Sequence, residues 1–205
     1  MPKGKFIVLE GADGSGKSTH SHLLAGYLLS KGMEVVVTAE PTKGNTGQQI
    51  RRILKGDEKA SPEELTKLFT KDRREHVERF ILPNLESGKT VICDRFYYST
   101  IAYQSAQGVD EDWISDLNNF VPEPDLVIVL EIESSEADLR MSGREREVFE
   151  YVEFQEKVQK KLLELANGGY KQLSKPGKKW AIVKNDSGAE AVQERIREIV
   201  DKTLD

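Results

Sequence analysis

Two rhythms alternate along this chain. Short apolar runs at Phe6–Glu10, Glu34–Thr38, Thr90–Asp94, Leu126–Ile132 and Trp180–Lys184 have the length and branched composition of strands. Between them apolar residues return every three or four positions, the spacing of helices that bury one face. Leu23, Leu24, Tyr27 and Leu28 make such a face in a helix expected over about Lys17–Ser30, which Gly32 stops. A weaker helix is expected at about Gln48–Leu54. In the next, Ser61 can cap, Pro62 takes the first helical position and Glu64 completes a capping box before Leu65, Leu68 and Phe69. That helix is expected to run to about Ser87, interrupted or bent where Pro83 removes a backbone donor. Further helices are expected near Ser99–Gln107, Glu111–Phe120, Ser135–Met141 and Val148–Ala166, and from about Glu190 to Val200.

Strands alternating with helices over the whole length predict an α/β fold, a three-layer α/β/α arrangement around a parallel five-stranded sheet with right-handed crossovers. With no linker, repeat or low-complexity segment, the 205 residues read as a single domain with a short lid at about 142–149. The formal charge of −5 gives no global positive field, so no nucleic-acid partner is expected. The lone Cys93, inside TVICD, excludes an internal disulfide framework and reads as a buried thiol. The opening MPKGKFIVLE has no basic leader followed by an apolar stretch, and no apolar run approaches about 18 residues. No membrane partner is therefore expected, and the cytoplasm is the expected compartment.

The first strand runs directly into GADGSGKST, residues 11–19, which fits the phosphate-loop pattern G-x-x-x-x-G-K-[ST] between a strand and a helix. Gly11, Ala12, Asp13, Gly14, Ser15, Gly16, Lys17, Ser18 and Thr19 are thus candidate nucleotide-binding residues. Small residues at 14–16 let consecutive N–H groups turn inward, and the first helical turn adds its free donors and positive dipole end. Lys17 can reach between the β and γ phosphates of ATP, and the Ser18 hydroxyl is placed to hold Mg²⁺. The loop alone leaves several classes open. A GTPase would need N-K-x-D, but VKND at 183–186 has the lysine and asparagine reversed. An ATPase motor could use Asp94 as its metal-binding acid, yet the chain is too short for an arm that transmits work.

The acceptor side is read from DRFYYSTIAYQ, residues 94–104. Asp94 and Arg95 fall at the C-terminal end of a parallel strand, the edge where open α/β sheets bind ligands, and an arginine there can fork onto a second anionic substrate. Ser99, Thr100, Tyr103 and Gln104 follow at the start of a helix. Phe69 and Arg73, four apart on the long third helix, face one way: a ring suited to stacking and a guanidinium suited to an exocyclic oxygen. Taken alone, Phe69 fits the core better, and its pairing with a charged residue on the same face is what points it to the pocket.

GADGSGKST, Glu40-Pro41, LF with Arg73, DRFYYSTIAYQ, PDLVIVLEI and GRER stand in an order and spacing that resembles thymidylate kinases, which phosphorylate dTMP with ATP on a P-loop nucleotide kinase fold. The resemblance covers residues 6 to about 170. It implies that Asp13 meets the sugar 3′-hydroxyl and the acceptor phosphate region with its metal, that Arg95 clamps the monophosphate, and that Phe69 stacks on thymine. It also implies that Arg73 reaches the O4 side, that Ser99 and Thr100 touch phosphate and base, and that Tyr103, with Gln104 beside it, crowds the 2′ position. Family members are usually homodimers, with small-molecule nucleotides as partners.

The chain departs from the family at Ala39-Glu40-Pro41-Thr42, where the bacterial pattern reads R-E-P-G-G-T, and at Glu145 before Arg146, where an aspartate is usual. A cis Glu40-Pro41 bond is implied by the resemblance. Some members carry an arginine after the loop aspartate, but here that position is Gly14, so Arg144 and Arg146 in the lid are the expected source of the missing cation. Together with Lys17, Asp13 and Arg95 they form the expected catalytic set, and Asn185 and Asp186 are candidates for the adenine side. Rival readings are a kinase for dUMP or another pyrimidine monophosphate, a nucleoside kinase with Glu40 as base, and a non-catalytic ATP-binding regulatory module.

Overall fold

The computed structural model describes residues 4–143, 147–168 and 179–204. Five parallel strands, β1 (Phe6–Gly11), β2 (Val35–Ala39), β3 (Thr90–Asp94), β4 (Leu126–Glu131) and β5 (Lys179–Lys184), lie in the order β2-β3-β1-β4-β5. β1 is central, pairing Leu9 with Asp94 on one side and with Ile128 on the other. Because side chains alternate across a strand, β1 feeds two cores. Phe6 and Val8 join Val91, Cys93, Val127 and Val129 on one face, while Ile7 and Leu9 join Ile92, Leu126, Ile128 and Leu130 on the other. This double burial is why the strands read as continuous apolar runs rather than alternating ones.

Helices α1 (Lys17–Ser30) and α9 (Ala189–Leu204) cover the second face through Leu24, Leu28, Val192, Ile196 and Val200. The first face is covered chiefly by α5 (Tyr97–Ser105) and α8 (Val152–Ala166), with α6 (Glu111–Leu117) beside α5. The three layers are thus helix, sheet and helix. Cys93 lies buried within this core, its thiol pushed well above the ordinary range by burial.

The third helical segment has the expected extent and is interrupted just ahead of Pro83. α3 spans Pro62–His76, with Ser61 accepting from Glu64 N at 3.1 Å and the Glu64 carboxylate accepting from Ser61 N at 2.8 Å. The expected bend before Ser87 takes the form of a π-helical turn over Val77–Ile81, leading into α4 (Leu82–Glu86). Pro83 at the start of α4 has no N–H to offer the preceding turn, and the widened turn just ahead of it absorbs the mismatch.

α2 (Asn45–Lys55) is longer than expected, and α7 (Ser134–Met141) follows β4 as anticipated. α8 begins at Val152 rather than Val148, because the Val148 N–H donates to the Leu54 carbonyl at 2.9 Å and Phe149 stacks on Phe154 with centroids 5.1 Å apart. The chain there is pinned to α2 instead of winding. Among the described residues no helix is long and apolar enough to cross a membrane.

Candidate active site

The glycine loop turns between the end of β1 and the start of α1. Gly14 takes φ 78°, a left-handed conformation that favours glycine, and a Cβ there would stand 2.8 Å from the Ala137 carbonyl oxygen. Gly16, also left-handed at φ 87°, caps α1, whose first turn carries no acidic side chain. Free amides and the helix dipole therefore face the loop's concavity, with no acidic side chain in that first turn to compete. Lys17 is buried within the loop and donates to the Ala12 carbonyl at 2.7 Å and to Ser15 Oγ at 3.3 Å. Burial and the neighbouring Arg95 push its ammonium down to about 8.

Ser18 Oγ donates to Asp94 Oδ2 at 2.5 Å. Two hard oxygen donors side by side, next to the loop lysine, form a set that suits Mg²⁺. A cleft lined by Gly14, Gly16, Lys17, Ser18, Thr19 and Asp94 opens above the loop and ends at Arg140 and Asn185. Gly11, Ala12 and Ser15 support this cleft from behind and do not line it.

A second cleft is lined by all the residues the sequence placed on the acceptor side: Asp13, Glu40, Pro41, Phe69, Arg73, Arg95, Ser99, Thr100, Tyr103 and Gln104. It shares Asp13, Glu40 and Arg95 with the first. Arg95 sits at this junction with φ 69°, left-handed for a non-glycine residue, a conformation that costs about 1–3 kcal/mol and that the surroundings must hold. Its guanidinium donates to Asp13 Oδ1 at 2.5 Å, Ser99 Oγ at 3.0 Å, Tyr103 Oη at 3.1 Å and the Gly11 carbonyl at 3.3 Å. Burial raises the Asp13 carboxyl, but Arg95 and Lys17 outweigh it and hold the group below the ordinary carboxylate range. The charge at the junction is thus fixed near neutral pH.

Phe69 is half-buried, packing against the small cluster of Ile50, Ile53 and Leu65 while lining the cleft. Both readings of that ring hold together. Arg73 is fully buried and more occupied than its spacing suggests: it donates to Glu40 Oε2 at 2.8 Å, Asn118 Oδ1 at 2.7 Å and Thr100 Oγ1 at 2.9 Å. Glu40 also faces His76 Nδ1 at 3.0 Å, so its carboxylate positions Arg73 and His76 instead of standing free as a base.

The segment that departs from the bacterial pattern has its own supports. Arg51 donates to the Pro41 and Thr42 carbonyls, and Asp72 accepts from Thr42 N at 2.7 Å and Thr42 Oγ1 at 2.6 Å. The Glu40-Pro41 bond is cis.

Gln104 stands apart. It has no exposed surface, yet among the described residues neither Nε2 nor Oε1 has a hydrogen-bond partner, and the residue lines the acceptor cleft. A buried primary amide with both ends free can meet a ligand that offers one donor and one acceptor.

Two site residues escape the sequence reading. Gln155 on α8 accepts from Asp13 N at 2.8 Å and donates to Asp13 Oδ2 at 2.8 Å, clasping the loop acid at backbone and side chain. Its signal was a polar residue three positions before Val158, inside the apolar stripe of α8. Arg140 on α7 reaches the Gly14 carbonyl and Asn185 Oδ1, both at 3.4 Å, and pairs with Glu136 at 2.5 Å. Only the i, i+4 pairing was visible beforehand. Asn185 itself is buried and donates to the Ser15 carbonyl at 2.9 Å. Asp186 corrects the expectation: its exposed carboxylate takes Arg195 at 2.8 Å and lines neither cleft. Arg144 and Arg146 lie outside the described residues.

The sequence profile of the thymidylate kinase family matches residues 9–196. The chain belongs to the thymidylate kinase family. A probable thymidylate kinase of Pyrococcus horikoshii is 46% identical over 171 residues, covering 80% of this chain and 83% of the relative. A probable thymidylate kinase of Methanococcus aeolicus is 40% identical over 202 residues, 98% of this chain and 96% of the other. Among solved structures, the thymidylate kinase from Candida albicans superposes with a TM-score of 0.79 at 25% identity, over 98% of this chain and 92% of that one. The thymidylate kinase architecture therefore extends over nearly the whole length, including the last strand and helix, where the sequence resemblance had faded.

Proposed function

We propose that the chain transfers the γ-phosphate of ATP to dTMP, giving dTDP and ADP. The observation that carries this reading is the shared wall of the two clefts: a triphosphate on the loop and a monophosphate on Arg95 would meet at Asp13. The acceptor phosphate is already largely ionised near neutral pH, so no strong base is needed, and catalysis consists of in-line alignment and charge neutralisation. Ser18 and Asp94, with Asp13 lining the same cleft, would hold Mg²⁺, which would supply charge neutralisation at the triphosphate. Lys17 adds positive charge as transfer proceeds, and Asp13, Phe69, Arg73, Arg95, Ser99, Thr100 and Tyr103 take the roles that the resemblance implies. The Gln104 amide, beside Phe69 and Arg73, suits the donor–acceptor edge of thymine. Arg140 and Asn185 flank the far end of the donor cleft, where a planar guanidinium suits adenine.

Arg144 and Arg146 remain the proposed cations over the transferred group. The short segment at about 142–149 is read as a lid on one domain spanning 1–205. A homodimer and a cytoplasmic setting complete the proposal, and sedimentation tests the dimer. Coupled ADP release over a panel of nucleoside monophosphates tests the reaction: dTMP gives the highest kcat/KM, and Arg144→Ala or Arg146→Ala lowers kcat at least about tenfold, roughly 1.4 kcal/mol of barrier. A preference for another monophosphate, or no turnover despite ATP binding, contradicts it.

A further inference from the structure

Glu10 lies near the end of β1, has no exposed surface and lines neither cleft. Its hydrogen bonds nevertheless run to the acceptor side. Oε1 accepts from Phe96 N at 2.8 Å and Ser99 N at 3.2 Å, and Oε2 accepts from Ser99 Oγ at 2.5 Å. Phe96 occupies the N-cap position of α5 and has no side-chain atom with which to cap it. Glu10 supplies that function from a different strand, taking the N–H groups of both the N-cap and the third helical residue, the two donors that a local capping box would satisfy.

The same hydroxyl that Glu10 receives also serves Arg95. Ser99 Oγ accepts from Arg95 Nη1 at 3.0 Å while donating to Glu10, so a continuous chain joins the buried carboxylate to the guanidinium at the cleft junction. Arg95, with its left-handed backbone, is the residue immediately before the capped helix start. A carboxylate that fixes the first turn of α5 therefore fixes the strained backbone and the side chain of Arg95 together.

We propose that Glu10 is a positioning residue for the acceptor phosphate, acting through Ser99: it anchors the Arg95–Ser99 turn and decides whether the Ser99 proton is held inside or offered to the substrate. The inference rests on the reading that Arg95 receives that phosphate. With Glu10 ionised, the Ser99 proton is spent on Oε2. With Glu10 protonated, the carboxyl O–H donates to Ser99 Oγ, which keeps its bond from Arg95 and frees its own proton for a phosphate oxygen.

Burial pushes the Glu10 carboxyl up to about 7 against the pull of Ser99, Arg95, the Phe96 amide and Lys17, so both arrangements are reached near neutral pH. The cations that act on it are Arg95 and Lys17, and Asp13 and Asp94 act on the same two. The Cys93 thiol and the Tyr97 and Tyr98 hydroxyls feel its charge, and all three are held neutral because burial pushes them up.

Glu10→Gln reproduces the protonated arrangement at every pH, its amide donating to Ser99 Oγ and its carbonyl accepting the two backbone N–H groups. The experiment measures kcat/KM for dTMP from pH 5.5 to 8.5 in wild type, Glu10→Gln, Ser99→Ala and the double variant, with KM for ATP alongside. Dividing Glu10→Gln by wild type cancels the titration of dTMP itself. That ratio should lie near one at the acid end and rise at least threefold through about pH 7, with KM for ATP changing less than twofold. In the Ser99→Ala background the ratio should stay flat.

A ratio that does not change with pH, or one that rises equally without the Ser99 hydroxyl, overturns the proposal. Should Glu10→Gln fail to fold, the ratio of Ser99→Ala to wild type decides it, since it also cancels the titration of dTMP: a ratio that rises through about pH 7, as wild type loses the Ser99 donor, supports the proposal, and a flat ratio overturns it. Wild-type turnover of dTMP is the control, and its absence would count against the proposed reaction, not against the role of Glu10.

Discussion

Gln104 is buried with two polar atoms that have no partner among the described residues, a situation that costs about 1–3 kcal/mol in a resting protein. A cost of that kind is retained where a ligand repays it. Gln104→Leu should therefore separate stability from function: the thermal midpoint holds or rises by a few degrees, since roughly 1 kcal/mol shifts a domain of this size by about 2–4 °C, while KM for dTMP rises at least tenfold. Thermal melts and steady-state rates on one preparation check both. A lower midpoint with unchanged KM would make Gln104 a packing residue.

At this scale the loop was legible because its nine residues are contiguous and carry their own geometry. What stayed hidden were bonds across sequence distance. Gln155 holds Asp13 from 142 positions away, and Glu40 and Asn118 occupy Arg73 from opposite sides. A spacing argument sees that Arg73 shares a helix face with Phe69, but not that three of its donors are already spent.

The central strands β1, β3 and β4 were the most readable elements, since both faces of the sheet are buried there and each run is largely apolar. Ile128, fully buried on the α1/α9 side of β4, tests how tightly that layer is packed. Ile128→Ala should destabilise the fold by about 2–5 kcal/mol in urea denaturation, from lost burial and the cavity left behind. A loss under about 1 kcal/mol would mean that the layer collapses easily around the gap. Helix boundaries were less readable where tertiary contacts compete with winding. Val148 has a helical neighbourhood in sequence, but its N–H is taken by Leu54 on α2, and Pro83 acts one turn upstream by widening the helix over Val77–Ile81. The first has no local signature, whereas Pro83 announces the second without giving its form.

Over the whole molecule, the sheet brings the ends of β1 and β3 side by side, and these carry the phosphate loop and Arg95. The two clefts therefore share one wall, as the alternation of strands and helices suggested, with ligands placed beyond the carboxyl edge of the sheet. The proposed transfer depends on that adjacency, and a bisubstrate tests it without relying on turnover. Adenosine and thymidine joined through a five-phosphate bridge should span both clefts, so that binding at one end raises the effective concentration of the other. Calorimetric titration should give a Kd at least a hundredfold below that of either ATP or dTMP alone, with Arg95→Ala erasing most of the gain. A bridged compound that binds no tighter than the better single nucleotide would contradict the account.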